Sequence, residues 1–279
     1  MSTNNEWAVV LGTTSGVGRA IGRELATNPG LNLFGAHRGT YPEQAAELEN
    51  ELRGMGREVF LHKGDVGTEA GVLAAVNALQ EVAPPKSIRI FVHSIANASL
   101  GRFMPGGKGR HRQLRPSNLQ KTFDSMAHSF VWWAQELQRR DLLAPGAQIL
   151  GLTNPIIDSI VVNFGAINAA KAALEAYVKH LALEMGRMGY RVNLLNFGTV
   201  ETYAASIGFG PRWDRFKKVC ENSTPAGRLL DAGEVGKFVS VLATDAGHWF
   251  NGATIDMTGG QAQSILDTVL YNDWENDDG

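Results

Sequence analysis

Apolar positions along the chain follow two alternating rhythms. Short, nearly continuous apolar runs occupy 7–11, 31–36, 58–63, 88–92, 147–152, 191–196 and 254–257. Their length and two-sided apolarity suit strands buried on both faces of a parallel sheet. Between them lie segments with helical spacing, 18–27, 41–55, 68–82, 119–140, 163–187 and 232–243. Ile21 and Leu25 share one face of the first, and Ala45, Leu48 and Leu52 one face of the second. Thr68 is placed to cap the third, with Glu69 in its first turn. Strand and helix alternate without a linker or repeat. The pattern predicts one α/β domain over residues 1–279, a Rossmann-type doubly wound parallel sheet with helices on both faces. Two segments depart from it. Residues 99–117 are rich in Gly, Arg and Pro and read as a long flexible loop, and 204–220 reads as a helical insertion.

Composition narrows the function classes. The 279 residues suffice for one large core, and with 44% apolar and 19% charged residues the chain is ordinary for a soluble protein. A net charge of −2 gives no broad field for nucleic acid or an anionic membrane. The single cysteine, Cys220, forms no internal disulfide and offers no sulfur cluster, so no metal is expected. Residues 1–6 are polar, unlike a signal peptide, and no apolar run approaches the roughly 18–20 residues that span a bilayer. A cytoplasmic protein is expected. The 99–117 loop carries Arg102, Lys108, Arg110, His111, Arg112 and Arg115 without an acid. It suits either an acidic carrier protein or phosphate, or simply solvent. It lacks the interleaved aromatics of a nucleic-acid surface.

Candidate chemistry begins at the first strand-to-helix turn. There Gly12, Thr13, Thr14, Ser15, Gly16, Val17 and Gly18 permit a tight turn and let a diphosphate approach backbone amides at a helix N-terminus. At the end of the second strand, where many NAD sites hold an acid for the ribose 2′-hydroxyl, stand His37, Arg38 and Gly39. A guanidinium there favours a 2′-phosphate through charge-assisted bonds. The expected cofactor is therefore NADP(H).

These residues resemble the short-chain dehydrogenase/reductase family over nearly the whole chain. Residues 12–18 are similar to its TGxxxGxG turn, and Asp65-Val66 to the pair beside the adenine ring. Gly198, Val200 and Thr202 resemble its PGxIxT segment at the nicotinamide, with Phe197 replacing proline, and Met257-Thr258-Gly259-Gly260 its last strand and glycine pair. His93-Ser94-Ile95-Ala96 stands where most members have NNAG and is similar to enoyl-acyl-carrier-protein reductases, as are 171–177 and 222–228. With Arg38, the likeness is to their NADPH-using type III branch. It implies that Ser94, Ile95 and Ala96 line the cofactor, that Lys171 holds the nicotinamide ribose, and that 202–222 forms a substrate lid. It further implies a homotetramer or homodimer, with Trp132 and Trp133 as candidates for the contact, and a small-molecule or carrier-bound substrate.

One element of the family pattern is missing. Relative to Lys171, the tyrosine of ordinary members falls on Ile167 and that of enoyl reductases on Phe164, while the latter's second tyrosine falls on Asn154. No tyrosine occurs between Tyr41 and Tyr177. A phenylalanine copies the ring but donates no proton. Asn154 is placed either to hydrogen-bond a substrate carbonyl or to cap a turn. Asp158 and Ser159 read either as a new acid or as solvated loop residues, Tyr203 either as a replacement donor or as a packing residue, and Phe164 as a substrate contact. His93 is expected to pack at a strand end, and His128 to face either the site or a subunit contact. Carbonyl reduction needs a proton on an alkoxide. Enoyl reduction leaves a less basic enolate that hydrogen bonds can hold. The expected function is an NADPH-dependent reductase of an activated alkene, such as an enoyl thioester of fatty-acid or polyketide assembly. The alternatives are a member repurposed for non-redox chemistry and a non-catalytic NADP(H)-binding protein.

Overall fold

The computed structural model describes residues 5–105, 113–155, 160–264 and 267–268. Seven parallel strands form one sheet in the order β3-β2-β1-β4-β5-β6-β7. They are β1 (Glu6–Leu11), β2 (Leu31–His37), β3 (Val59–Lys63), β4 (Ile88–His93), β5 (Leu143–Thr153), β6 (Arg191–Phe197) and β7 (Thr254–Met257). The near-continuous apolar runs follow from burial on both faces. Trp7, Val9 and Leu11 enter one core, while Ala8 and Val10 enter the other. Each fully buried Val or Leu contributes about 1.5–3 kcal/mol of transfer free energy.

Helices α3 (Glu69–Gln80), α5 (Ser129–Arg139) and α6 (Gly165–Gly186) cover the first core; α1 (Gly16–Ala26), α2 (Pro42–Gly54) and α9 (Ala232–Leu242) cover the second. Thr68 does cap α3, its hydroxyl accepting from the Gly71 amide at 3.1 Å. Three expectations need correction. The long helix 119–140 is two helices, α4 (Pro116–Phe123) and α5, joined by a π-helical turn over Asp124–His128. There Ser125 Oγ donates to the Lys121 carbonyl and Ser129 Oγ to the Ser125 carbonyl. Such hydroxyl-to-carbonyl bonds divert backbone acceptors and bend helices. The 204–220 segment is also two helices, α7 (Tyr203–Phe209) and α8 (Trp213–Ser223). Gly210, at φ +54°, and Pro211 break it. Finally, β5 begins at Leu143, four residues early, because Pro145 and Gly146 are accommodated by an irregularity against β4.

Trp133 lies in the core, its ring stacked on Phe91 at 5.5 Å and its indole N–H donating to the Val66 carbonyl at 3.3 Å. It is therefore unavailable to a second subunit; Trp132 is half-buried beside His128. No described helix is long and apolar enough to cross a membrane. In the 99–117 loop, Lys108, Arg110, His111 and Arg112 lie outside the described residues, as do Asp158, Ser159 and the acidic tail 273–278. Strand order reverses between β1 and β4, and a crevice opens at that switch point beyond the carboxyl ends of the strands.

Candidate active site

A cavity of about 720 Å³ fills this crevice. Its floor is the β1–α1 turn. Gly12, at φ +76°, passes so close to β4 that a Cβ there would lie 2.3 Å from the Ser94 carbonyl oxygen; one on Gly18 would lie 2.3 Å from the Gly12 carbonyl oxygen. Only glycine closes this turn. Ser15 takes the N-cap position of α1 in extended conformation, makes no side-chain capping bond, and is followed by no acid in the first turn. The amides and positive end of α1 thus face the cavity unneutralised, which suits a diphosphate. Gly12, Thr14, Ser15, Gly16, Val17 and Gly18 all line it. Thr13 does not. Its hydroxyl turns inward and donates to the Val10 carbonyl at 2.7 Å, bracing the turn from below.

One end of the cavity is electropositive. His37, Arg38 and Tyr41 line it beside Asp65, Val66 and Gly67. Arg38 is exposed, and among the described residues it forms no ion pair. His37 is held below its ordinary pKa by burial and by the charges of Lys63 and His62. Asp65 is partly committed, accepting from the Gly67 amide at 3.2 Å. An exposed guanidinium without an ion-pair partner among the described residues, with Lys63 packed against the adjoining Gly39, fits a phosphate better than a bare ribose.

At the other end stands Lys171, on α6. It is 6% exposed, and its Nζ donates to the Leu152 carbonyl of β5 at 2.5 Å. Burial lowers its pKa to about 8. Behind it His93 is fully buried, with Nε2 2.8 Å from Ser129 Oγ, and is pushed down to about 3 by burial and then by the Lys171 charge. It packs at the strand end, as expected, and remains neutral. Phe164, Ile167, Asn154, Thr153, Ser94, Ile95, Ala96, Gly198, Val200 and Thr202 complete the lining. The site residues expected from the sequence are thereby gathered on one cavity, Thr13 excepted. His128 is not part of it; its Nδ1 lies 3.1 Å from Tyr177 Oη on the α5–α6 face.

Tyr203 lines the cavity, but its position argues against a proton-donor role. It opens α7 and stands edge-on to Tyr41, ring centroids 5.7 Å apart. Phe209, which closes α7, is the residue stacked on Phe164 at 5.1 Å. Six residues of helix separate them, about 9 Å at 1.5 Å per residue. The phenol therefore belongs to the Arg38 end. Phe209 in turn stacks on Phe216 at 3.7 Å, so three rings in series wall the Lys171 end. Phe209 and Phe216 were not legible in the sequence, because they belong to separate helices, α7 and α8, that only the folded chain brings together. Tyr41 escaped the sequence reading too, although it closely follows Arg38. Cys220 also lines the cavity, its thiol raised by burial.

Fold and cavity together define an NAD(P)-dependent oxidoreductase of Rossmann type. Residues 12–262 match the family model described as enoyl-(acyl carrier protein) reductase, and the chain belongs to this branch of the short-chain dehydrogenases/reductases. It is 29% identical over 251 residues to the NADH enoyl-acyl-carrier-protein reductase FabI of Escherichia coli (strain K12), covering 88% of this chain and 87% of that protein. To the NADPH enzyme of the same name from Staphylococcus aureus (strain MRSA252) it is 29% identical over 216 residues, covering 77% and 80%. A short-chain dehydrogenase from Burkholderia cenocepacia, solved with NADP, shares the fold at a TM-score of 0.75 and 21% identity, covering 94% of this chain and 99% of that one.

Proposed function

We propose that the protein is an NADPH-dependent reductase of an activated alkene, most simply an enoyl thioester. The observation that supports this reading is the lining of the cavity, in which buried Lys171 is joined by Phe164 and Asn154, the positions where the family pattern places its tyrosines. In this reading the amides of 12–18 grip the diphosphate. Arg38, with His37, takes the 2′-phosphate, and Asp65 and Val66 flank the adenine. Ser94, Ile95, Ala96, Gly198, Val200 and Thr202 seat the nicotinamide end, and Lys171 holds its ribose hydroxyls. NADPH supplies hydride when bound. Hydride reaching the β-carbon of an enoyl thioester leaves an enolate. Asn154 offers an amide N–H to that oxygen, the Lys171 ammonium adds positive potential, and solvent protonates the α-carbon. Phe164 packs against the acyl group. A ketone would leave a more basic alkoxide, whose protonation in this family pattern falls to a phenol at the position held here by Phe164.

The substrate is carried as a small thioester or on an acyl carrier protein, in fatty-acid or polyketide assembly. The working unit is a cytoplasmic homotetramer or homodimer, and residues 1–279 act as one domain with 202–222 as its lid. Support comes from the enoyl-reductase relatives and from α7 and α8 lying over the cavity. Incubation with NADPH and a panel of enoyl thioesters tests the reading: oxidation of NADPH with formation of the saturated thioester is expected, and no oxidation across the panel overturns it. The absence of both tyrosines favours a second reading, a non-redox reaction in the same pocket, which predicts a product of unchanged mass. Cofactor binding with no chemistry at all marks the non-catalytic alternative.

A further inference from the structure

Tyr41 and Tyr203 are 162 positions apart in sequence and meet edge to face at 5.7 Å. Each is fixed at the start of a helix. Tyr41 is the N-cap of α2; Pro42 follows it, and its carbonyl accepts from the Ala45 amide. Tyr203 is the first residue of α7, and Thr202 caps that helix by accepting from the Ala205 amide at 3.1 Å. Both line the cavity, yet Tyr203 is 62% exposed, so the pair sits at the rim and not in a core. Around it the first helix of the lid is thinly held: α7 has no buried residue. Beneath it, a Cβ on Gly16 would lie 3.2 Å from the Thr202 methyl, so the start of the lid also rests on the phosphate turn. Arg38 belongs to the same short loop as Tyr41. Desolvation and the Tyr203 phenol raise the Tyr41 pKa while the Arg38 charge opposes them, which makes the three groups electrostatic neighbours.

We propose that Tyr41 and Tyr203 form an aromatic clasp that positions the substrate lid from the adenosine end of the cavity, so that a 2′-phosphate held at Arg38 tightens the lid over the acyl site. Tyr41 acts through Tyr203 and is a positioning residue. The consequence is a second layer of cofactor discrimination. NADPH both binds at Arg38 and orders α7 and α8, whereas NADH fills the diphosphate site and leaves the clasp loose. The coupling rests on the proposed cofactor role of Arg38, but the clasp itself exists in the free protein.

An aromatic pair of this geometry is worth roughly two- to tenfold in a local equilibrium. Hydrogen exchange of the 203–223 amides reads it directly, in wild type, Tyr41→Ala, Tyr41→Phe and Tyr203→Phe, each free, with NADH and with NADPH at saturation. In the free protein, Tyr41→Ala is expected to speed lid exchange about fivefold. Tyr41→Phe and Tyr203→Phe, which keep the rings, are expected to match wild type. NADPH is expected to slow wild-type lid exchange more than NADH does, with the difference lost in Tyr41→Ala. Equal lid exchange in free wild type and Tyr41→Ala overturns the clasp. Equal protection by the two cofactors in wild type overturns the coupling. Failure of NADPH to bind at all, seen by fluorescence, refutes the cofactor reading and the coupling together, while the free-protein comparison still decides the clasp. Loss of lid protection in Tyr41→Ala with unchanged exchange in β1 to β4 separates positioning from general unfolding.

Discussion

Replacing Lys171 with methionine should make the cofactor-free protein more stable and the enzyme inactive. The side chain is 6% exposed and, among the described residues, has the Leu152 carbonyl as its hydrogen-bond partner and no carboxylate paired with it. Burial lowers its pKa from 10.5 to about 8. At about 1.36 kcal/mol per pH unit, holding the charged amine in the folded state costs about 3 kcal/mol. The sign follows from proton counts. Between pH 8 and 10.5 the unfolded chain binds more protons at this site than the folded one, so stability rises with pH across that window and is flat below it. At pH 7 nearly the whole penalty remains, and by pH 10 about 1 kcal/mol is left. Methionine keeps the stem's packing and removes the charge. Urea denaturation of cofactor-free wild type and Lys171→Met should give a variant about 3 kcal/mol more stable at pH 7, with the gap closing to about 1 kcal/mol at pH 10. A gap that is absent at pH 7 or constant to pH 10 refutes the view that a strained ammonium is kept for function. Reductase activity should fall in the same variant, the signature of a site held against stability.

Arg38→Gln should weaken NADPH binding about 10- to 100-fold and NADH binding far less, measured by cofactor fluorescence, since charge-assisted bonds are worth about 1.5–3 kcal/mol; a parallel loss for both cofactors removes Arg38 from the 2′-phosphate. Phe164→Tyr returns a phenol beside Lys171 and should confer ketone reduction, up to the roughly 10²–10⁴-fold that a general acid supplies. No gain, with NADPH binding intact, contradicts the assignment of Phe164 to the reacting end. Gly12→Ala sets a Cβ 2.3 Å from the Ser94 carbonyl oxygen at φ +76° and should destabilise by well over about 1 kcal/mol, lowering Tm by several degrees in a thermal melt.

Much of the architecture was legible because its causes are local or periodic. Two-sided burial writes strands as apolar runs, and all seven appear within a few residues of their expected places. The glycine turn was legible because φ and close approach admit no side chain. The π-helical turn was not, because the hydroxyl bonds of Ser125 and Ser129 matter only once His93 and the sheet are in place. Gly210-Pro211 was visible in the lid, but the helical pattern around it masked the break. The packing of Tyr203 was hidden from the sequence for a tertiary reason. Its partner Tyr41 comes from another βα unit, and only the folded chain shows that α7 runs from the Arg38 end to Phe164.

The most direct test of the whole account follows one atom. Wild-type protein is turned over with NADPH carrying deuterium at the transferable position of the nicotinamide, and an enoyl thioester such as the crotonyl ester, and the product is read by mass spectrometry and NMR. The account predicts a saturated thioester with a single deuterium on the β-carbon and a solvent-derived hydrogen on the α-carbon. A product of unchanged mass, or deuterium on the carbonyl carbon, contradicts it.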